Sequence, residues 1–153
     1  MFDTMRNANG IGLAANQVGA DKSIFVIDVS QVEDYEDTKP LALINPKIIK
    51  RSDEKVIMEE GCLSIPDIRE EIARPETITI MYQDTDLKEH SLEADGLMAR
   101  VMQHEYDHLQ GILFTDLVSD VIKKKLKRDM NKIRKRKVEI SYPITENIDY
   151  QLV

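Results

Sequence analysis

Two imidazoles four residues apart, with a carboxylate beside the first, form the pentad His104-Glu105-Tyr106-Asp107-His108. On a helix, residues at this spacing project from one face, one turn apart, so His104 and His108 could grip a single metal ion. Glu105 would then lie close enough to act on a water bound to that ion. The chain has only three histidines. Finding two of them in this pattern argues against a surface accident.

A catalytic metal site needs a third protein ligand and one open position. One group of zinc proteases places a third histidine six residues after the second, where this chain has Phe114. Another group uses a downstream glutamate, but the downstream segment here is basic, and Asp120, Asp129 and Glu139 have no supporting context. Upstream lies Cys62, in Glu60-Gly61-Cys62-Leu63-Ser64-Ile65-Pro66. A thiolate is a good soft ligand, and the preceding glycine lets backbone come close to a ligand. Cys62 is the only cysteine, so no internal disulfide forms and no oxidising compartment is needed.

Several elements must position these groups. Leu97, Val101, His104 and His108 recur at helical spacing, as do Met98, Met102 and Leu109. Asp95 is the expected N-cap and Gly111 the expected stop. Ser119 is the expected cap of a second helix through the basic segment, with Val121, Ile122, Leu126, Met130 and Ile133 as its inward face. Strands are expected at Ile24 to Val29, at Leu41 to Ile49 with an interruption near Asn45-Pro46, at Arg69 to Arg74, at Thr77 to Tyr82 and at Glu89 to Glu93. Met1 to Asn7 reads as the end of a helix, Asn9 to Gly12 as turn-rich, and Glu33 to Asp37 as a solvent loop. After Lys137 the tail turns apolar, through Val138, Ile140, Tyr142, Ile144 and Ile148, and reads as an added strand or a disordered end.

The 153 residues suit one domain with an apolar core. No stretch approaches the roughly 18 consecutive apolar residues of a membrane span, and the start does not resemble a secretory signal. The whole chain carries −7, yet residues 123–137 hold ten Lys/Arg and a single acid, Asp129. The body is therefore strongly acidic. A basic tail on an acidic body suits an anionic partner such as nucleic acid or a ribonucleoprotein, or else a solvated helix face.

Three motifs in order carry a resemblance. They are Gly10-Ile11-Gly12-Leu13-Ala14-Ala15-Asn16-Gln17, then Glu60-Gly61-Cys62-Leu63-Ser64, then Gln103-His104-Glu105-Tyr106-Asp107-His108-Leu109 with Gly111 following. From Met1 to about Lys137 the chain resembles the peptide deformylases. Members of that family usually carry a longer start before the first motif; this chain opens at the end of what would be their first helix.

The resemblance implies hydrolysis of the N-formyl group from the terminal methionine of a new polypeptide, releasing formate. It implies Cys62, His104 and His108 as ligands of one divalent metal, iron(II) in the cell, with zinc, nickel or cobalt as substitutes. It implies Glu105 as the proton carrier, and the Leu63 backbone N–H and Gln17 amide as donors to the formyl oxygen. Gly12 and Gly61 would leave room for an extended peptide, Ile11 and Leu97 would wall the methionine pocket, and Arg69 would line the cleft. Residues 123–137 would contact the ribosome. Neither a membrane nor sequence-specific DNA enters this expectation. The compartment implied is the cytoplasm of a bacterium, or of a phage's bacterial host, or an organelle interior.

The expected fold is α+β, with antiparallel β-sheets packed around a central metal-binding helix carrying the His-Glu-X-X-His pattern, plus a C-terminal basic helix. A single domain spans 1–153, with a core of about 1–118, a basic helix of about 119–137 and a tail, 138–153. Two other classes remain open on the residues. One is a zinc-dependent peptidase. The other is a non-enzymatic nucleic-acid or ribosome-binding module with a closed, four-ligand structural metal.

Overall fold

The computed structural model describes residues 1–145. In chain order these hold α1 (Phe2–Asn7), β1 (Gly12–Ala14), β2 (Ile24–Ile27), β3 (Leu41–Arg51), β4 (Lys55–Cys62), β5 (Ile65–Pro75), β6 (Ile78–Gln83), β7 (Glu89–Ala94), α2 (Gly96–Leu109) and α3 (Asp120–Arg134). Short 3-10 turns occupy Ala15–Val18 and Phe114–Asp116. One sheet runs β1-β2-β3-β6-β7, antiparallel throughout, and β4-β5 is a separate antiparallel hairpin. The hairpin leaves the main sheet after β3 and returns the chain to β6, beside β3.

Alternation explains the sheet. In β6, Ile78 and Ile80 are buried while Met81 on the other face is exposed. In β3, Leu43 and Ile48 face the core. The interruption expected at Asn45-Pro46 is an irregularity within a continuous strand: the register with β6 shifts between Ile44 and Lys47, and Asn45 adopts φ 50. Proline cannot donate to the ladder, so the strand bulges there and resumes. Two strands carry no clear sequence signal. β1 is short and falls in the glycine-rich stretch, and β4 does not alternate, its apolar run Val56-Ile57-Met58 being followed by Glu59-Glu60-Gly61.

Helix α2 lies against the main sheet, where Ala99, Val101 and Met102 join Phe25, Ile27, Leu43 and Ile80 in the main core. Its middle also buries Arg100, Gln103, His104, Glu105 and His108. A buried polar side chain without a partner is costly, so each of these needs an explanation. Asp95 occupies the N-cap position, but its carboxylate makes no capping bond. The Tyr35 hydroxyl accepts from the Leu97 N–H instead, at 3.1 Å. Tyr35 belongs to the acidic segment read as a plain solvent loop. Gly111, at φ 73, ends the helix as expected.

A second cluster joins Ile65, Ile68 and Ile72 of β5 to Phe114, Val118 and Leu126. Ile122, Met130 and Ile133 pack against it, and the Ser119 hydroxyl accepts from the Ile122 N–H. Val121 departs from the expected inward face, being 78% exposed. One residue is about 100° of helix rotation, so the stripe through 122, 126, 130 and 133 leaves position 121 outside. The tail from Val138 to Thr145 is irregular and forms no strand; Ile148 lies outside the described residues. Among the described residues no helix is long and apolar enough to cross a membrane.

Candidate metal centre and active site

Cys62 ends β4, and the Leu63-Ser64 turn carries the chain to Ile65, which pairs back with Cys62. This hairpin tip meets the His104–His108 face of α2. Ligating atoms of Cys62, His104 and His108 all lie within 4.8 Å of one another, and Cys62 Sγ is 3.2 Å from His108 Nε2. The two imidazoles stand edge to face, centroids 4.9 Å apart. Phe114, at the position where one protease group has its third histidine, stacks on His104 at 6.0 Å.

The electrostatics suit a cation at this point. Burial pushes the Cys62 thiol up to about 11, with the Glu105 charge adding to the rise. Burial likewise pushes His108 down to about 4, helped by His104 and Arg74. A neutral imidazole offers the lone pair that a metal needs, and a bound divalent ion stabilises the thiolate that burial disfavours. Glu105 is pushed up to about 8, first by burial and then by the Glu60 charge, against a backbone hydrogen bond at Ala14. Glu105 Oε2 is the single buried side-chain N or O atom among the described residues with no hydrogen-bond partner. Convergent soft and imidazole donors beside an orphaned carboxylate oxygen are the arrangement that a catalytic divalent ion requires.

Glu60 holds this arrangement in place. It is buried in β4, and its Oε2 lies 2.9 Å from His104 Nδ1. That contact leaves Nε2 of the same ring open to serve as a ligand atom. Arg74 of β5 donates to both Glu60 oxygens, at 2.6 and 3.0 Å, and Arg100 of α2 donates at 2.7 Å. Burial by itself would raise the Glu60 pKa, but His104, Arg74 and Arg100 outweigh it and hold it at about 2. Arg100 also donates to the carbonyls of Ile72 and Val56, and Arg74 to Asp107 at 2.6 Å. Gln103 donates to the carbonyls of Pro75 and Ala99. The buried polar groups of α2 are thus satisfied, with the Glu105 oxygen left over. Sequence reading gave Glu60, Arg74, Arg100 and Asp107 no role. One signal was available: Arg100 sits four residues before His104, on the same helix face.

The remaining expected residues gather round the same point. Gln17 Oε1 accepts from the Ala14 N–H at 2.8 Å, turning its Nε2 toward Cys62 Sγ (3.7 Å) and Ser64 Oγ (3.0 Å). Gly12 lies against the Glu105 carboxylate: a Cβ there would meet Glu105 Oε1 at 2.4 Å. Ile11, Gly12, Gly61, Leu63, Arg69 and Leu97 all line one cavity of about 960 Å³ over the site. Arg69 is exposed at its rim, 3.5 Å from Glu59.

Comparison with known proteins agrees with this geometry. The family profile described as polypeptide deformylase matches residues 1–124. A peptide deformylase of Salinibacter ruber is 44% identical over 156 residues, covering 97% of this chain and 80% of the relative. The solved Arabidopsis thaliana peptide deformylase 1B, in complex with an inhibitor, superposes with a TM-score of 0.81 at 38% identity, over 90% of this chain and 75% of that one. A probable peptide deformylase from Synechococcus phage S-SSM7 gives 0.71 at 45% identity, over 77% and 78%. The chain belongs to the polypeptide deformylase family, the metal-dependent amide hydrolases that remove the N-formyl group from nascent polypeptides.

Proposed function

We propose that Cys62, His104 and His108 hold one divalent ion, and that Glu105 moves the proton in deformylation. The observation that carries this reading is the orphaned Glu105 Oε2 beside three convergent donors. When bound, the ion supplies a Lewis acid and a water acidified to near neutrality. Glu105 takes the proton of the attacking water as oxygen adds to the formyl carbon. It then delivers that proton to the nitrogen as the C–N bond breaks, because an amine anion cannot depart unprotonated. Formate and a free amino terminus result. Charge that develops on the formyl oxygen meets the Gln17 Nε2 and the Leu63 backbone N–H, donors already fixed in place, which is worth a few kcal/mol of selective stabilisation. Ile11 and Leu97 wall the methionine side chain, Gly12 and Gly61 leave backbone open to an extended peptide, and Arg69 flanks the cleft.

One thiolate and two imidazoles suit iron(II), zinc, nickel and cobalt alike. Iron(II) is the ion that the family resemblance implies for the cell, and an iron–thiolate site would be oxygen-sensitive at Cys62. The basic face of α3 supports docking on the ribosome beside emerging chains. Formylated chains place the enzyme in the cytoplasm of a bacterium, in that of a phage-infected one, or in an organelle interior.

The test is anaerobic incubation of the iron(II)-loaded protein with formyl-Met-Ala-Ser. Free formate is the expected product. Internal fragments from unblocked peptides would replace this reading with a peptidase. Glu105→Gln should keep its metal and lose about a hundredfold or more in turnover. Cys62→Ala should lose the metal, and a fully metallated Cys62→Ala protein refutes the ligand set.

A further inference from the structure

The tail returns to the active site. At the end of α3, Arg136 adopts a left-handed conformation, φ 52. The N–H groups of Arg136 and Lys137 bond back to the carbonyls of Ile133 and Lys132, at 2.8 and 2.9 Å. This turn redirects the chain, and the Arg136 guanidinium donates to the Thr145 carbonyl at 2.7 Å, tying the loop's two ends together. Glu139, Ile140, Ser141 and Tyr142 thereby line the same cavity as Leu63 and Gly12. From within the loop, the half-buried Tyr142 hydroxyl donates to the Leu63 backbone carbonyl.

Leu63 begins the two-residue turn that follows the Cys62 ligand. The turn is otherwise held from its inner side: the Ser64 N–H points at Cys62 Sγ (3.4 Å), and Ser64 Oγ accepts from Gln17. Tyr142 holds it from the tail side. A carbonyl fixed by a hydrogen bond fixes its peptide plane. The Leu63 N–H lies on the preceding plane, two torsions away. Loss of the tether leaves that plane to the 3.4 Å contact of the Ser64 N–H with Sγ, and so loosens the orientation of the donor that meets the formyl oxygen.

We propose that Tyr142 is a positioning residue for deformylation, clamping the Leu63-Ser64 turn so that the Leu63 N–H stays aimed at the formyl oxygen. The proposal rests on the oxygen-donor role given to Leu63 under the proposed function. Tyr142 touches no reacting atom and holds no metal.

The test is Tyr142→Phe in the full chain, which removes one hydroxyl from a half-buried ring. Metal content and melting temperature should match the parent protein. With formyl-Met-Ala-Ser, kcat should fall about fivefold, the scale of one hydrogen bond, and KM should stay within about twofold, because the donor's effect is felt in the transition state. Amide hydrogen exchange at Leu63 and Ser64 should quicken, with no change along α2. Unchanged kcat overturns the proposal, and so does unchanged exchange at the turn. A rise in kcat/KM overturns it too, by showing that the tail obstructs the cleft. Formate release by the parent protein tests the underlying activity, while exchange at Leu63 tests the tether, so the two fail separately.

Discussion

A methyl group at position 12 would sit 2.4 Å from Glu105 Oε1. Gly12 lies in β1, and its φ is outside the left-handed range, so its importance is steric. The expectation for this glycine was room for a passing peptide; the nearest group it accommodates is the Glu105 carboxylate, the proposed proton carrier. Gly12→Ala should leave the fold intact and push Glu105 out of line. Displacement by about 1 Å can cost on the order of a hundredfold in rate. Steady-state formate release, with circular dichroism as the control for folding, measures this directly. Parent-like activity in a folded Gly12→Ala protein would show that the carboxylate has another resting place. Glu60 shows the same dependence on neighbours. Its motif was visible in the sequence, yet its role rests on Arg74 and Arg100, which are far from it along the chain.

Among the elements, α3 shows how a single residue's phase is decided. The stripe Ile122, Leu126, Met130, Ile133 packs on β5 and Phe114, and Val121 stands outside it. Leu126→Ala should destabilise the protein by about 2–4 kcal/mol, the usual range for a buried leucine. Val121→Lys should stay within about 0.5 kcal/mol, as exposed substitutions do. Urea denaturation of the two variants checks the assignment, and comparable losses would mean that the helix is rotated from the orientation seen here. Apolar residues at 121 and 122 were equally eligible from sequence, because neighbouring apolar residues do not say which one faces the core. The same limit hid β4, whose residues do not alternate and whose Glu60 gains its role only once α2 and β5 supply its partners.

On the scale of the molecule, charge is divided between an acidic body and the basic face of α3, where Lys123, Lys124 and Lys127 are exposed. These side chains are remote in sequence from the proposed ligands and from the groups proposed to contact substrate. Reversing the three to glutamate should abolish salt-sensitive cosedimentation with ribosomes while leaving formyl-Met-Ala-Ser turnover within about twofold, since exposed charge acts mainly through long-range attraction. Equal pelleting of parent and variant would remove the ribosome from the role of α3.

Spacing along the chain by itself determined that two imidazoles share one helix face, because helix periodicity is a local property. Cysteine chemistry and motif order pointed to Cys62 as their partner. Only the tertiary structure decided what surrounds them. It set Glu60 beneath His104, brought Gly12 against Glu105, replaced the Asp95 cap with Tyr35, and turned an unassigned tail so that Tyr142 reaches Leu63. Each of these contacts joins residues far apart in sequence. The hydrogen bonds among them follow from burial, which drives polar groups taken from water to find partners wherever the fold supplies them, and the approach of Gly12 to Glu105 follows from close packing.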